Sequence, residues 1–332
     1  MVKETAVILA GAVAKGAFEA GALEVLAPHV ENLAITRIVG ASAGALNAAL
    51  FAIGLRAGAE REVTKSLVEL WSDAATWHNV VDVNWRDILS LTGVGTADRV
   101  LELMKQAVAG VSSSTPREVG LWLVLTALNG SEGTIGGDPA TTFEGALSFR
   151  GSDLDSADGR ERIFRAALGS AAFPVLFAPV EVPDVGLCID GGAVNNGPVR
   201  LALADSSVQR IVVISPEPLL IKPREPLAGL NLLGHVAEIL INERLYRDLH
   251  EAESVNERLS KLEQLKSQGV PADVVERVKA LFHWRPLEIV QIRPPTALNG
   301  NAFEGFGKHS PLREEYIVAG RAAANKELPR LI

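Results

Sequence analysis

The chain has 332 residues, 48% hydrophobic and 22% charged, and its 32 Lys and Arg against 40 Asp and Glu give a net charge of −8. At roughly 100–200 residues per domain this is one large domain or two ordinary ones, and the composition excludes global disorder. The acidic balance and the low aromatic content of 5% argue against a nucleic-acid partner, and a single cysteine, Cys188, excludes a disulfide framework or a multi-cysteine zinc site.

The N-terminus carries a charged start and a short apolar run without the length of a secretory signal, so residues 5–10 are read as a first strand. Glycine follows, then a helix-like run over residues 17–26. Residues 35–39 form a second apolar strand. The uncharged stretch 38–55 lies between Arg37 and Arg56, but Gly40, Ser42, Gly44, Asn47 and Gly54 interrupt it, and a membrane span needs about 20 predominantly apolar residues. It reads better as strand, turn and helix, with the helical run at 45–52. With neither signal peptide nor membrane span, a cytoplasmic location is expected.

Residues 60–116 look helical and irregular, with Trp71, Trp77 and Trp85. They form either a cap over a site or indoles packed on a sheet. Residues 121–127, 211–215 and 288–292 are further buried strands. Residues 227–268 read as long helices with a core-facing stripe at Leu259, Leu262 and Leu265, stopped by Gly269 and Pro271. Residues 299–307 form a glycine-rich loop. No internal repeat and no linker divides the chain. The alternation predicts a single α/β domain with a mostly parallel sheet. Its core covers about residues 5–215, and a helical part covers about 225–332.

Gly40-Ala41-Ser42-Ala43-Gly44 fits G-x-S-x-G. In that pattern a serine sits at the apex of a strained strand-to-helix turn, small neighbours let adjacent segments pass, and the helix N-terminus favours developing negative charge. The apolar strand before it and the helix after it favour such an elbow over a plain glycine turn. Gly11-Ala12-Val13-Ala14-Lys15-Gly16 also follows a strand and opens a helix. It fails as a P-loop, because Ala17 and Phe18 follow the second glycine. It fails as a dinucleotide fingerprint, because Ala14 stands where a glycine belongs. An anion cradle built from backbone N–H groups is the remaining reading, and acyl transfer needs one beside its nucleophile.

Asp190-Gly191-Gly192 follows a short apolar run, residues 186–189. Alone it reads better as a capping or turn aspartate. None of the six histidines, His29, His78, His235, His250, His283 and His309, sits in a recognisable catalytic motif. An aspartate can serve as base instead if it touches the serine hydroxyl directly, and partial desolvation would then raise its proton affinity.

In combination these segments resemble the patatin-like phospholipases. Gly11 to Gly16 is similar to the family's glycine-rich oxyanion loop, and Gly40 to Gly44 to its serine elbow. Ala167-Leu168-Gly169-Ser170-Ala171-Ala172-Phe173-Pro174, with Phe177 to Val180, resembles the segment before the second catalytic residue. Asp190-Gly191-Gly192, with Asn196 and Pro198, resembles the D-G-G/A motif. The resemblance implies a three-layer α/β/α fold and a Ser–Asp dyad lipid acyl hydrolase. Ser42 would be nucleophile and Asp190 base. Gly11, Ala12, Val13 and Ala43 would form the oxyanion hole, supported by Lys15, Gly16, Gly40, Gly44, Gly191 and Gly192. The implied partner is a lipid or ester substrate, with transient contact at a membrane surface, and neither metal nor cofactor is expected. Ala12 and Val13 replace family glycines, so a cradle that needs positive φ is strained at Val13. Two alternatives remain open at this point. One is a Ser–Asp–His esterase using His283 or His309, and the other is a non-catalytic scaffold with a degraded oxyanion loop.

Overall fold

The apolar run near the N-terminus forms β1, Thr5–Ala10, with every residue buried. A computed structural model describes residues 3–11, 13–80, 98–135, 138–174, 176–220, 229–301 and 303–332. β1 is paired in parallel on both edges, with β2 (Ile35–Ala41) and with β7 (Arg210–Ile214). Such a strand has no polar side, which is why its sequence shows no alternation. The sheet is completed by β3 (Gly120–Ile135), β4 (Asp138–Arg150), β5 (Val180–Val182), β6 (Gly186–Ile189) and β8 (Glu288–Ile292). Its order is β5-β6-β3-β2-β1-β7-β8, with β4 beside β3. The run from β3 to β8 is parallel, whereas β4, β5 and β6 enter antiparallel.

Helices cover both faces. On one side Val7, Leu9, Ile38, Leu121 and Leu123 pack against α1 (Gly16–Leu26), α2 (Ala43–Ala57), α3 (Glu60–Glu69), α4 (Asp98–Ala107) and α5 (Ala157–Ser170). On the other, Ala6, Ile8, Val39, Ile211 and Val213 meet Leu245 and Leu249 of α6 (Gly229–Ser267). α7 (Ala272–Leu281) and α8 (Leu312–Leu331) follow. The residue-by-residue split of β1 between two apolar clusters is the period-two signature of a sheet sandwiched by helices.

Two local features differ from the sequence expectations. β3 runs well beyond residue 127 and pairs antiparallel with β4, with a register shift between Thr126 and Ser131. The polar, glycine-bearing stretch at Asn129-Gly130-Ser131 hides this continuation. The stripe on α6 is not uniformly core-facing: Leu259 is buried, Leu262 is half-buried and Leu265 is exposed. Of the three tryptophans, Trp71 is buried in a π-helical turn, Leu70–Ala74, Trp77 packs edge-on to Phe306 with ring centroids 5.2 Å apart, and Trp85 lies outside the described residues. Among the described residues no helix is long and apolar enough to cross a membrane.

α1 and α8 touch backbone to backbone. A Cβ on Gly21 would collide with the carbonyl of Ile317, and one on Gly320 with the carbonyl of Phe18. Arg321 Nε donates to Glu24 at 2.6 Å beside this contact. In an open helix Gly320→Ala gains about 0.5–1 kcal/mol of backbone entropy. Here it is expected to lose about 1–3 kcal/mol through overpacking. The urea midpoint reads the sign directly, and a gain would show that the two helices separate without cost.

Candidate active site

Strand register brings the two glycine motifs together. Ala10 pairs with Ala41, so the chain leaving β1 at Gly11 emerges beside Ser42 as it leaves β2. A Cβ on Gly11 would collide with Ser42 and sit 2.7 Å from the amide nitrogen of Ala43. A Cβ on Gly40 would meet that of Ala48 at 2.7 Å, and one on Gly44 would strike the carbonyl of Leu9. The glycines of the elbow are therefore packing requirements. Ser42, with φ 54 and ψ −135, occupies a backbone region that L-residues seldom adopt, directly at the start of α2.

Asp190 reaches the same edge from the opposite direction. β6 runs antiparallel to β3, pairing Ile189 with Thr126. The chain then turns at Gly191, where a Cβ would collide with the carbonyl of Val124. Thr126 Oγ1 donates to the Asp190 carbonyl at 2.7 Å, and the Asp190 N–H donates to Ala172 at 2.9 Å. Ser42 Oγ donates to Asp190 Oδ2 at 2.6 Å, and the Gly192 N–H donates to Oδ1 at 2.7 Å. A Cβ on Gly192 would stand 2.8 Å from that same Oδ1, so the approach depends on glycine.

Ser42 and Asp190 are both buried. Burial pushes the Asp190 carboxyl up to about 7, against the opposing pull of the Ser42 hydroxyl and the Gly192 N–H. Ser170 spans the two motifs. Its Oγ accepts from the Ser42 N–H at 2.9 Å, and its carbonyl accepts from the Gly191 N–H at 2.9 Å.

The glycine-rich turn completes the cluster. Val13 adopts φ 54, so the strain anticipated for a β-branched residue is present in the fold. Ala12 lies outside the described residues. Asn196 Nδ2 donates to the Gly11 carbonyl at 2.8 Å, which links the turn to the aspartate loop. Gly16 faces the ring of Trp71 so closely that a Cβ would meet it at 2.6 Å. Lys15 is buried and paired with Glu217 and, at 2.8 Å, with Glu238.

Ser42, Asp190, Val13 and Ala43 all line one apolar cavity of about 120 Å³, walled by side chains such as Leu50, Leu67, Met104, Phe173 and Phe306. Trp71 and Asn47 also line it. Trp71 Nε1 donates to Asn47 Oδ1 at 2.8 Å, and Asn47 Nδ2 donates to Glu19 Oε2 at 2.7 Å and to the Gly16 carbonyl at 3.0 Å. Burial drives the Glu19 carboxyl well above its ordinary range, against the opposing pull of its hydrogen bond from Asn47. Asn47, Trp71, Glu19 and Thr126 carry no motif signal. Ser170 and Asn196 lie within motifs that the sequence reading matched, but nothing in the pattern assigned them a task. His283 and His309 are exposed.

A family model described as patatin-like phospholipase matches residues 7–203. Comparison with curated proteins gives no match. Among solved structures, VipD from Legionella pneumophila is similar over 99% of this chain and 67% of its own, at 13% identity and a TM-score of 0.45. The type III effector ExoU is similar over 98% of this chain at 13% identity and a TM-score of 0.37, and the present chain spans about half (53%) of its length. The ExoU–SpcU complex of Pseudomonas aeruginosa is similar over 85% of this chain and 59% of its own, at 16% identity and a TM-score of 0.26.

The buried carboxyl makes a stability prediction. Between the ordinary aspartate value and about 7 the folded protein retains a proton that the unfolded chain releases, so this group's contribution declines as pH rises through that window. Asp190→Asn is therefore expected to melt higher than the wild type at about pH 8, with the difference closing toward about pH 4. Thermal melts of both proteins at the two pH values check this, and a difference that widens in acid contradicts it.

Proposed function

Since the chain belongs to the patatin-like phospholipase family, we propose that it hydrolyses carboxylic esters of lipids with Ser42 as nucleophile and Asp190 as base. Family membership supports lipid acyl hydrolysis in general. The observation that carries the specific reading is the 2.6 Å hydrogen bond from Ser42 Oγ to Asp190 Oδ2 at the wall of an apolar cavity. The direct bond and the exposure of His283 and His309 favour a dyad over a triad that interposes an imidazole. The scaffold reading rested on Ala12 and Val13, yet Val13 takes up the positive φ that a glycine would adopt there.

In this scheme the ester's acyl chain lies among Leu50, Met104 and Phe173, and its carbonyl carbon faces Ser42 Oγ. Asp190 accepts the hydroxyl proton as Oγ attacks. The tetrahedral oxyanion is held by N–H groups of the Gly11–Gly16 turn, Val13 foremost, and by Ala43 at the N-terminus of α2. Collapse expels the alcohol, which takes the proton from Asp190, and leaves an acyl-Ser42 ester. Water then gives its proton to Asp190 and attacks the same carbon. The acid departs and Ser42 regains its proton. The scheme calls on no metal or cofactor. The described parts of segment 60–116 serve as a cap, since Leu67, Leu70, Trp71 and Met104 line the cavity, and residues 81–97 lie outside the described residues. Lipid is met in a transient contact at a membrane surface.

A fluorophosphonate probe is expected to label the wild type and not Ser42→Ala. A well-folded wild type that resists the probe would remove the reading. Asp190→Asn is expected to lower turnover by about 10²–10⁴-fold. The kcat/KM profile of the wild type is expected to lose activity on the acid side with a midpoint near 7, because protonated Asp190 cannot accept the Ser42 proton. A midpoint near that of an ordinary carboxylate would assign the base elsewhere.

A further inference from the structure

Lys15 is fully buried, and so are the two carboxylates it meets. Glu217 lies in the segment after β7, and Glu238 lies on α6. Both are anchored. Arg293 Nη1, just beyond β8, donates to the Glu217 carbonyl at 2.9 Å, and the Glu217 N–H reaches Ser215 Oγ at 3.4 Å. His235 Nδ1 stands 3.4 Å from Glu238 Oε2. Both glutamates fall outside residues 7–203, the part of the chain that the family model matches.

Lys15 shares one turn of 3-10 helix with Val13. A positive φ at a β-branched residue persists only where its surroundings hold the backbone on both sides. Asn196 holds the Gly11 side through the Gly11 carbonyl. The Lys15 side is held by two charge-assisted bonds between buried side chains, the strongest type of polar contact open to the chain.

We propose that Glu238 and Glu217 are positioning residues for the oxyanion turn, acting through Lys15. The proposal rests on the catalytic reading of Ser42 and Asp190, and it makes α6 a working part of the site although α6 contributes nothing to the Ser42–Asp190 pair itself. The N–H donors of the turn act on the charge that develops in the transition state, so loosening them lowers kcat and spares KM.

Glu238→Gln and Lys15→Met are each expected to lower kcat about 10–100-fold. KM should stay within about twofold, and the acid limb of the pH profile should remain near 7, because Asp190 is untouched. Lys15→Met leaves two buried carboxylates without their shared cation, Glu238→Gln takes one of the two from Lys15, and both lower Tm as well. The double variant Lys15→Met/Glu238→Gln removes one charge of each sign and leaves Glu217 to the buried Arg293, and it is expected to regain most of the lost Tm without regaining kcat. Recovery of kcat in step with Tm would overturn the proposal, since the cluster would then serve folding alone. Unchanged kcat in the single variants, or a rise in KM at constant kcat, would overturn it equally. A wild type that is not labelled by fluorophosphonate at Ser42 would instead remove the catalytic reading, and this proposal with it.

Discussion

A carboxyl group withdrawn from water next to a serine hydroxyl is the constraint around which the carboxyl edge of the sheet is organised. Left unbonded, an ionised aspartate in such a place costs several kcal/mol. Asp190 is instead supported on both oxygens, by Ser42 and by the Gly192 N–H. Those bonds require the serine elbow and the aspartate loop to converge within contact distance, with the turn after β1 alongside, and the topology supplies them. Parallel β1 and β2 end side by side, whereas β6 arrives antiparallel along β3 and delivers its loop from across the edge. Ser170 then ties the elbow to the aspartate loop, one with its hydroxyl and the other with its carbonyl. The residual desolvation penalty raises the proton affinity of Asp190, the direction a proton acceptor working near neutral pH requires.

Much of this was legible in the residues, for reasons that differ from element to element. β1 and β2 are apolar without alternation, and buried parallel strands have few other ways to look. The elbow announces itself because Gly40 and Gly44 are there for space, and space needs no knowledge of the rest of the fold. The β3–β4 hairpin was passed over, although Thr141, Phe143, Gly145, Leu147 and Phe149 alternate with polar neighbours over part of β4. The break at Asn129-Gly130-Ser131 looks like an end, yet it is a register shift inside a continuing strand. Leu265 misled in the opposite way, since a helical repeat on a 39-residue helix continues past the point where the core stops. Least legible were the buried polar partners. Glu217 and Glu238 meet Lys15 across separations of 202 and 223 residues, and nothing local marks a glutamate that will be desolvated.

α1 joins these arrangements mechanically. Its N-terminus is the glycine-rich turn, and Glu19 on it sits in the Asn47–Trp71 network of the cavity wall. Its far side lies flush against α8 at Gly21 and Gly320. A shift of α1 along its axis would therefore disturb three contacts at once. Close-packed interiors resist that kind of displacement, because they offer few alternative arrangements of similar energy.

The α1–α8 contact also bears on synthesis. Glu24 and Arg321, which bond across it, are separated by 297 residues. During translation at about 5–20 residues per second the first helix waits on the order of a minute or less before its partner leaves the ribosome. Until then the flank of α1 that carries Gly21 lacks its partner helix. A nascent chain that stops before α8 leaves Gly21 and Glu24 without the helix they pack and bond against, so α1 reaches its final packing only once α8 has been made.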